Sequence, residues 1–207
     1  MITPRIGSAL LLSLFAFMPV MSHAGMTPDE VKNFEVDKVK AEKGDAYAQH
    51  NLGVFYYYGV GTEKNWVEAV KWYRKAAQAG IALAQFNLGC CCLYGNGVGK
   101  DEVEAVKWIR KAAEQGVAEA QVNLGSCLYR GKGVAKDEIE AYAYFNLAGV
   151  TLEVARANLA EIEKAMSPDA RLLGQQRTKQ LRKEIEGRLE SAEEIRKAIE
   201  KERSKGA

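Results

Sequence analysis

The chain has 207 residues, of which 47% are hydrophobic, with 29 Lys and Arg against 27 Asp and Glu and a formal net charge of +2. A chain of this size and polarity can bury a core, which excludes a wholly disordered protein. Near-balanced charge excludes a general attraction to nucleic acid or anionic lipid, so a partner has to be recognised locally.

In chain order, the first element is a targeting signal. Arg5 gives a positive start, Ala9 to Val20 is apolar, and Ser22-His23-Ala24 places small residues ahead of a cleavage point at Gly25. The apolar run is shorter than the roughly 20 residues that a spanning helix needs. The expectation is a signal peptide over 1–24, export to the bacterial periplasm, and no stable membrane insertion after cleavage. Thr27-Pro28-Asp29-Glu30 then combines a capping box with Pro at the first helical position, which predicts an N-terminal capping helix within 26–44.

A repeat of 36 residues organises the next hundred. Asn51-Leu52-Gly53 returns as Asn87-Leu88-Gly89 and Asn123-Leu124-Gly125, and Ala48-Gln49 as Ala84-Gln85 and Ala120-Gln121. Trp72, Trp108 and Tyr144 keep the same step, as do the loop glycines Gly59, Gly95 and Gly131. The units are 45–80, 81–116 and 117–151. Each divides into a helix A (45–58 in the first) and a helix B (66–79), both with apolar residues at helical spacing and with glycines between them. A helix pair of this size cannot bury its apolar face alone, so successive pairs stack into an all-α solenoid.

The C-terminal part, 152–207, is read as a helical cap and a charged amphipathic tail. Thr151 to Met166 carries Val154, Leu159 and Ile162 at helical spacing, and Ser167-Pro168-Asp169 starts another helix with Ser167 as N-cap. From Leu181 a narrow apolar stripe continues through Ile185, Leu189, Ala192, Ile195 and Ile199, with Glu184/Arg188 and Glu193/Lys197 four apart. Two readings stay open for it: a solvated helix that frays toward Lys205, or self-association or partner contact through 181–199.

The pattern AxAQxNLGxxYxxGxGVxKDxxEAxxWxxKAAxxG, carried by Ala82 to Gly116 with Cys92 at the first aromatic position, resembles the Sel1-like repeat of the tetratricopeptide superfamily. The resemblance extends from Asp45 to about Gly149. It implies an α/α solenoid of helix-turn-helix repeats that holds other proteins together and has no chemistry of its own. Disulfide-stapled members link the end of one helix pair to the start of the next; here those places hold Ala76-Ala77 and Ala84, so that framework is missing.

The residues offer little for catalysis. After the predicted cleavage one histidine remains, His50, and its repeat equivalents Phe86 and Val122 suggest a surface place rather than a dyad. No Ser-x-x-Lys follows the signal. The alternative function, a cell-envelope hydrolase acting on peptidoglycan or β-lactam compounds, therefore lacks a nucleophile motif. Asp101-Glu102 and Asp137-Glu138 stand at helix starts, where negative charge suits the helix dipole. Gly95 to Lys100 imitates a phosphate loop but has no preceding strand and repeats in the neighbouring unit. Trp72 and Trp108, at a recurring B-helix position, and Trp66 are expected in the core. Cys90, Cys91 and Cys92 point about 100° apart on a helix and cannot clasp one zinc together. A bond from Cys91 or Cys92 to Cys127 stays open. Neither catalytic residues, metal nor cofactor are predicted.

Comparison of the units yields one further signal. In helix A the positions 47, 50, 54 and 58 vary between units and fall on one stripe. Collected, they are Tyr47, His50, Val54 and Tyr58; Leu83, Phe86, Cys90 and Tyr94; and Glu119, Val122, Ser126 and Arg130. The superfamily resemblance places this stripe on the concave groove, and its aromatic and apolar residues suit a bound peptide or helix. The expectation is an exported scaffold or regulatory adaptor for another envelope or secreted protein, with no nucleic-acid partner and with Cys90 as the most reactive thiol.

Overall fold

The computed structural model describes residues 26 to 205, without the side chains of Arg196 and of 198 to 205; the predicted signal segment lies outside the described residues. Among the described residues nine helices follow one another: α1 Pro28–Glu42, α2 Ala46–Tyr58, α3 Trp66–Gln78, α4 Ala82–Tyr94, α5 Glu102–Ala113, α6 Ala118–Arg130, α7 Glu138–Ala148, α8 Glu153–Ala165 and α9 Pro168–Lys205. No strand occurs among the described residues. The all-α solenoid is present: each A helix (α2, α4, α6) packs on its own B helix (α3, α5, α7) and on the helix before it, which for α2 is the capping helix α1. In α1, as the capping box requires, the Glu30 amide donates to Thr27 Oγ1 at 3.2 Å and the Thr27 amide donates to the Glu30 carboxylate at 2.7 Å.

The recurring polar residues close the ends of helices. Gln49, Gln85 and Gln121 each donate from Nε2, at 3.2 Å, to a carbonyl near the end of the preceding helix, those of Ala41, Ala77 and Ala113. These carbonyls belong to the last turn, whose acceptors lack partners within the helix. Asn65, Asp101 and Asp137 accept amide hydrogens at the start of each B helix, the capping expected of these residue types.

The recurring glycines set distances. A Cβ on Gly53, Gly89 or Gly125 would press into Tyr73, Ile109 or Phe145 of the paired B helix, at 2.5, 2.6 and 2.8 Å. The Asn-Leu-Gly motif is thus a seat for a large B-helix side chain. This corrects the expectation for the tryptophans, because the core residue of helix B is the one after them. Trp72 and Trp108 are half-buried, and each ring lies under a lysine ammonium, Lys75 at 3.8 Å and Lys111 at 4.4 Å from the ring centre. Trp66 is exposed beside Lys64. Tyr144, in the same register, is buried, with Arg177 of α9 nearby.

The solenoid ends differently from how it repeats. Helix α8 packs on α7 as an A helix does, and its Asn158-Leu159-Ala160 answers Asn123-Leu124-Gly125 with a step of 35 and alanine in place of glycine. With the glycine seat gone, α9 forms its extensive contact with α7 rather than α8. It brings its own small residue there: a Cβ on Gly174 would lie 2.6 Å from the Tyr142 ring. Arg177 clamps Glu140 through two bonds of 2.6 and 3.1 Å, and Leu181 and Ile185 are buried. Further on, Arg188 reaches Glu114 at 3.0 Å. The first half of α9 is therefore a packed cap. No helix among the described residues is long and apolar enough to cross a membrane.

Candidate functional site

The stripe of variable A-helix residues is carried by α2, α4 and α6, whose mutual spacing is set by the B helices wedged between them. Tyr47 and Leu83 are 60% and 51% exposed, and Tyr58 and Tyr94 are also exposed at the C-terminal ends of α2 and α4. His50, Val54, Phe86, Glu119, Ser126 and Arg130 are half-buried. Cys90 and Val122 are not surface residues: each is 5% exposed. Of the terminal helices, α1 packs on α2 and α9 on α7.

Asparagines of the Asn-Leu-Gly motif tie the stripe together from one unit to the next. Asn51 Nδ2 donates to Asp37 of α1 at 2.9 Å. Asn87 Nδ2 lies 3.2 Å from His50 Nε2, so the neutral ring accepts there and carries its proton on Nδ1. Asn123 Nδ2 points at Cys90 Sγ, 3.7 Å away. Burial holds the pKa of His50 below its ordinary value of 6.5, against a hydrogen bond with Asn51 that favours the charged ring. A neutral imidazole that bridges α2 and α4 is a structural tie.

The thiols require a correction. Cys90, expected to be the reactive one, is buried like Cys91, Cys92 and Cys127, and all four are free. Its stripe position is covered because Asn123 of the following unit leans over the sulfur. Burial raises all four thiols: Cys91 to about 12, Cys92 and Cys127 to about 11, and Cys90 further still. A thiolate is the reactive form, so slow alkylation is expected at all four in the folded protein and fast alkylation once it unfolds. The same shift links to stability. Unfolded thiols ionise near 9 while the folded ones stay protonated, so thiol-linked stability is complete below that pH and falls as pH rises toward 11 to 12. Urea titrations should show a midpoint that drops above about pH 9, with the drop reduced when Cys91 and Cys127 are replaced by alanine. A flat profile in the parent protein would show that the buried thiols do not ionise on unfolding.

The described residues contain no group of three or more His, Cys, Asp or Glu side chains placed to hold a metal. One part of the A-helix side escaped the sequence reading: Ala157, Glu161 and Ala165 of α8 are exposed and continue the stripe beyond α6. Asn158-Leu159 was the available signal, masked by the step of 35 and by Ala160.

Comparison with known proteins agrees with the helical-repeat fold. The Sel1 repeat model matches residues 46–81, 82–117 and 118–149, together half of the chain and within a few residues of the units read from the repeat. Over 66 residues the chain is 39% identical to a sel1-like repeat-containing protein of Acanthamoeba polyphaga mimivirus, a match covering 32% of this chain and 11% of that one. Over 49 residues it is 37% identical to an ERAD-associated ubiquitin-protein ligase component of Arabidopsis thaliana, covering 23% and 8%. Among solved structures it is similar to a protective antigen of uropathogenic Escherichia coli with an SLR fold, with TM-score 0.69 and 40% identity over 73% of this chain and 33% of that one. A Sel1 repeat protein from Oxalobacter formigenes gives TM-score 0.59 and 40% identity, covering 64% and 54%. The chain thus spans about a tenth of the length of these curated relatives and a third to a half of the solved chains.

Proposed function

Since this chain belongs to the Sel1 repeat family, we propose that it is an exported scaffold or regulatory adaptor that binds another envelope or secreted protein, or a peptide of one, along its A-helix side. Sel1 repeat proteins generally mediate protein–protein interaction and are generally non-catalytic. The observation that carries the reading is the run of exposed aromatic and apolar residues on α2 and α4, Tyr47, Tyr58, Leu83 and Tyr94. Large amphipathic side chains on a rigid helical frame supply contact area at low ordering cost. Export rests on Arg5 and the apolar run that follows it, and the periplasm is the compartment proposed for the partner. Neither the described residues nor the relatives favour the hydrolase alternative.

Leu83→Glu puts a charge where an apolar anchor would sit, on a side chain the core does not need. The expected result is that partner recovery from the exported compartment falls by tenfold or more, on the order of the 1–2 kcal/mol of a modest interface anchor. The control is Val103→Glu on a B helix, where the side chain is 52% exposed. Equal recovery with both variants would remove the A-helix side as the binding surface.

A further inference from the structure

Along the B helices the repeat sets an arginine of one unit against a glutamate of the next. Arg74 of α3 donates from Nη1 to Glu104 of α5 at 2.8 Å. The step from 74 to 104 is also the step from Arg110 of α5 to Glu140 of α7, yet that second pair is not made. Glu140 is held by Arg177 of α9, whose Nε and Nη2 donate to its two oxygens at 2.6 and 3.1 Å, the fork geometry that makes such a pair strong. The other acid open to Arg110 is Glu114, four residues further along its own helix. That one is taken by Arg188 of α9 at 3.0 Å. Among the described residues the half-buried Arg110 side chain is left with no ion pair and no hydrogen bond.

The third unit is altered where α9 lies on it. At the position of Arg74 and Arg110 it carries Asn146, which donates from Nδ2 to Thr178 of α9 at 3.4 Å. At the position of Trp72 and Trp108 it carries Tyr144, buried where the tryptophans are half-buried. Burial pushes the Tyr144 phenol up to about 12, and the charges of Arg110, Glu140, Glu114 and Arg177 all act on it. Cations from α5 and α9 thus gather round the same two carboxylates, and those of α9 hold both.

We propose that α9 is a strap poised to lift from α7, with Arg110 as its rival for Glu140 and Glu114. When α9 lifts, Arg110 takes Glu140 in the repeat register and Glu114 along its own helix, and Tyr144 is uncovered. Arg110 therefore stabilises the lifted state alone, and α9 is held less tightly than its contacts with α7 would hold it without that competitor. The strap lies on B helices, so it stands or falls separately from partner binding along the A helices.

Amide hydrogen exchange of the purified protein, read by mass spectrometry on peptides within 174–189, reports how often this part of α9 opens. Arg177→Gln removes the clamp, and exchange there should quicken by roughly tenfold or more. Arg110→Gln removes the rival, and exchange there should slow by roughly two- to fivefold. Arg110→Met, which keeps the length of the side chain without its charge, should slow it likewise and stands in if the glutamine variant fails to fold. Arg74→Gln, the same change where the repeat pair is made, should leave α9 unchanged. With Glu140→Gln and Glu114→Gln both present, Arg110→Gln should no longer slow exchange in α9. Unchanged or faster exchange in both Arg110 variants, a slowing that persists without the two carboxylates, or an Arg177→Gln variant that exchanges like the parent would overturn the proposal.

Discussion

Gly97→Ala is expected to remove more than about 2 kcal/mol of stability, a large share of the roughly 5–15 kcal/mol typical of a domain. Two effects add. Gly97 has φ +73°, a left-handed conformation that costs other residues about 1–2 kcal/mol. A Cβ there would also collide with the carbonyl oxygen of Trp66 and sit 2.8 Å from the Val67 amide nitrogen. These are backbone atoms at the start of α3, which cannot swing aside as a side chain can. The turn of the second unit rests on the B helix of the first, and the contact recurs between Gly61 and Glu30 and between Gly133 and Glu102. Gly99→Ala, two residues away, is the control: φ is not in the left-handed region and nothing lies within 4 Å of the added methyl. Its stability should stay within about 0.5 kcal/mol of the parent. Denaturant titration followed by far-UV circular dichroism compares the two, and equal stabilities would show that the turn does not bear on the preceding helix. Because each unit touches only its neighbours, the loss at Gly97 should appear first at the junction of the first two units.

The second large effect belongs to the glycine seat. A methyl on Gly125 would lie 2.8 to 3.2 Å from three ring atoms of Phe145, so Gly125→Ala over-packs the interface of α6 and α7 and should cost about 1–3 kcal/mol. Here the obstacle is a side chain, so it can be relieved. Phe145→Leu alone leaves a cavity and should also destabilise, but with Gly125→Ala present the smaller side chain makes room for the methyl. The double variant should therefore lose less than the sum of the single losses, by about 1 kcal/mol or more. Strict additivity in this cycle would mean that Gly125 recurs for a reason other than the packing of helix A on helix B.

Both predictions rest on features visible in the sequence, though their physical roles were not. A step of 36 residues and a helical period fixed the helices, their order and the stacked architecture, because each unit repeats the same local signals. Periodicity shows which residues recur but not what they touch. It grouped Trp72 and Trp108 with the core, whereas Tyr73 and Ile109 fill it. It placed Cys90 on the open stripe by analogy with Val54 and Ser126, and the neighbouring Asn123 covers it. Side chains that reach across from the next unit are invisible to a comparison made within one unit. The end of the solenoid was legible as helices, yet the departure of α9 toward α7 depends on Gly174 against Tyr142 and on Arg177 against Glu140. Those are contacts between segments that share no repeat register. Along the stripe, the aromatics Tyr47, Tyr58 and Tyr94 of α2 and α4 are exposed, and α8 adds exposed residues whose register has slipped by one.

Site-specific photocrosslinking in cells is the most direct measurement of the A-helix side as a binding surface. A photoreactive residue would replace Tyr47, Leu83 or Tyr94 on one side of the solenoid, and Val67 or Val103 on the other; all five are exposed. Adducts to one and the same partner protein from the first three positions and from neither valine is the predicted outcome. Adducts from Val67 and Val103 with none from Tyr47, Leu83 and Tyr94 would contradict it and move the binding surface to the B helices.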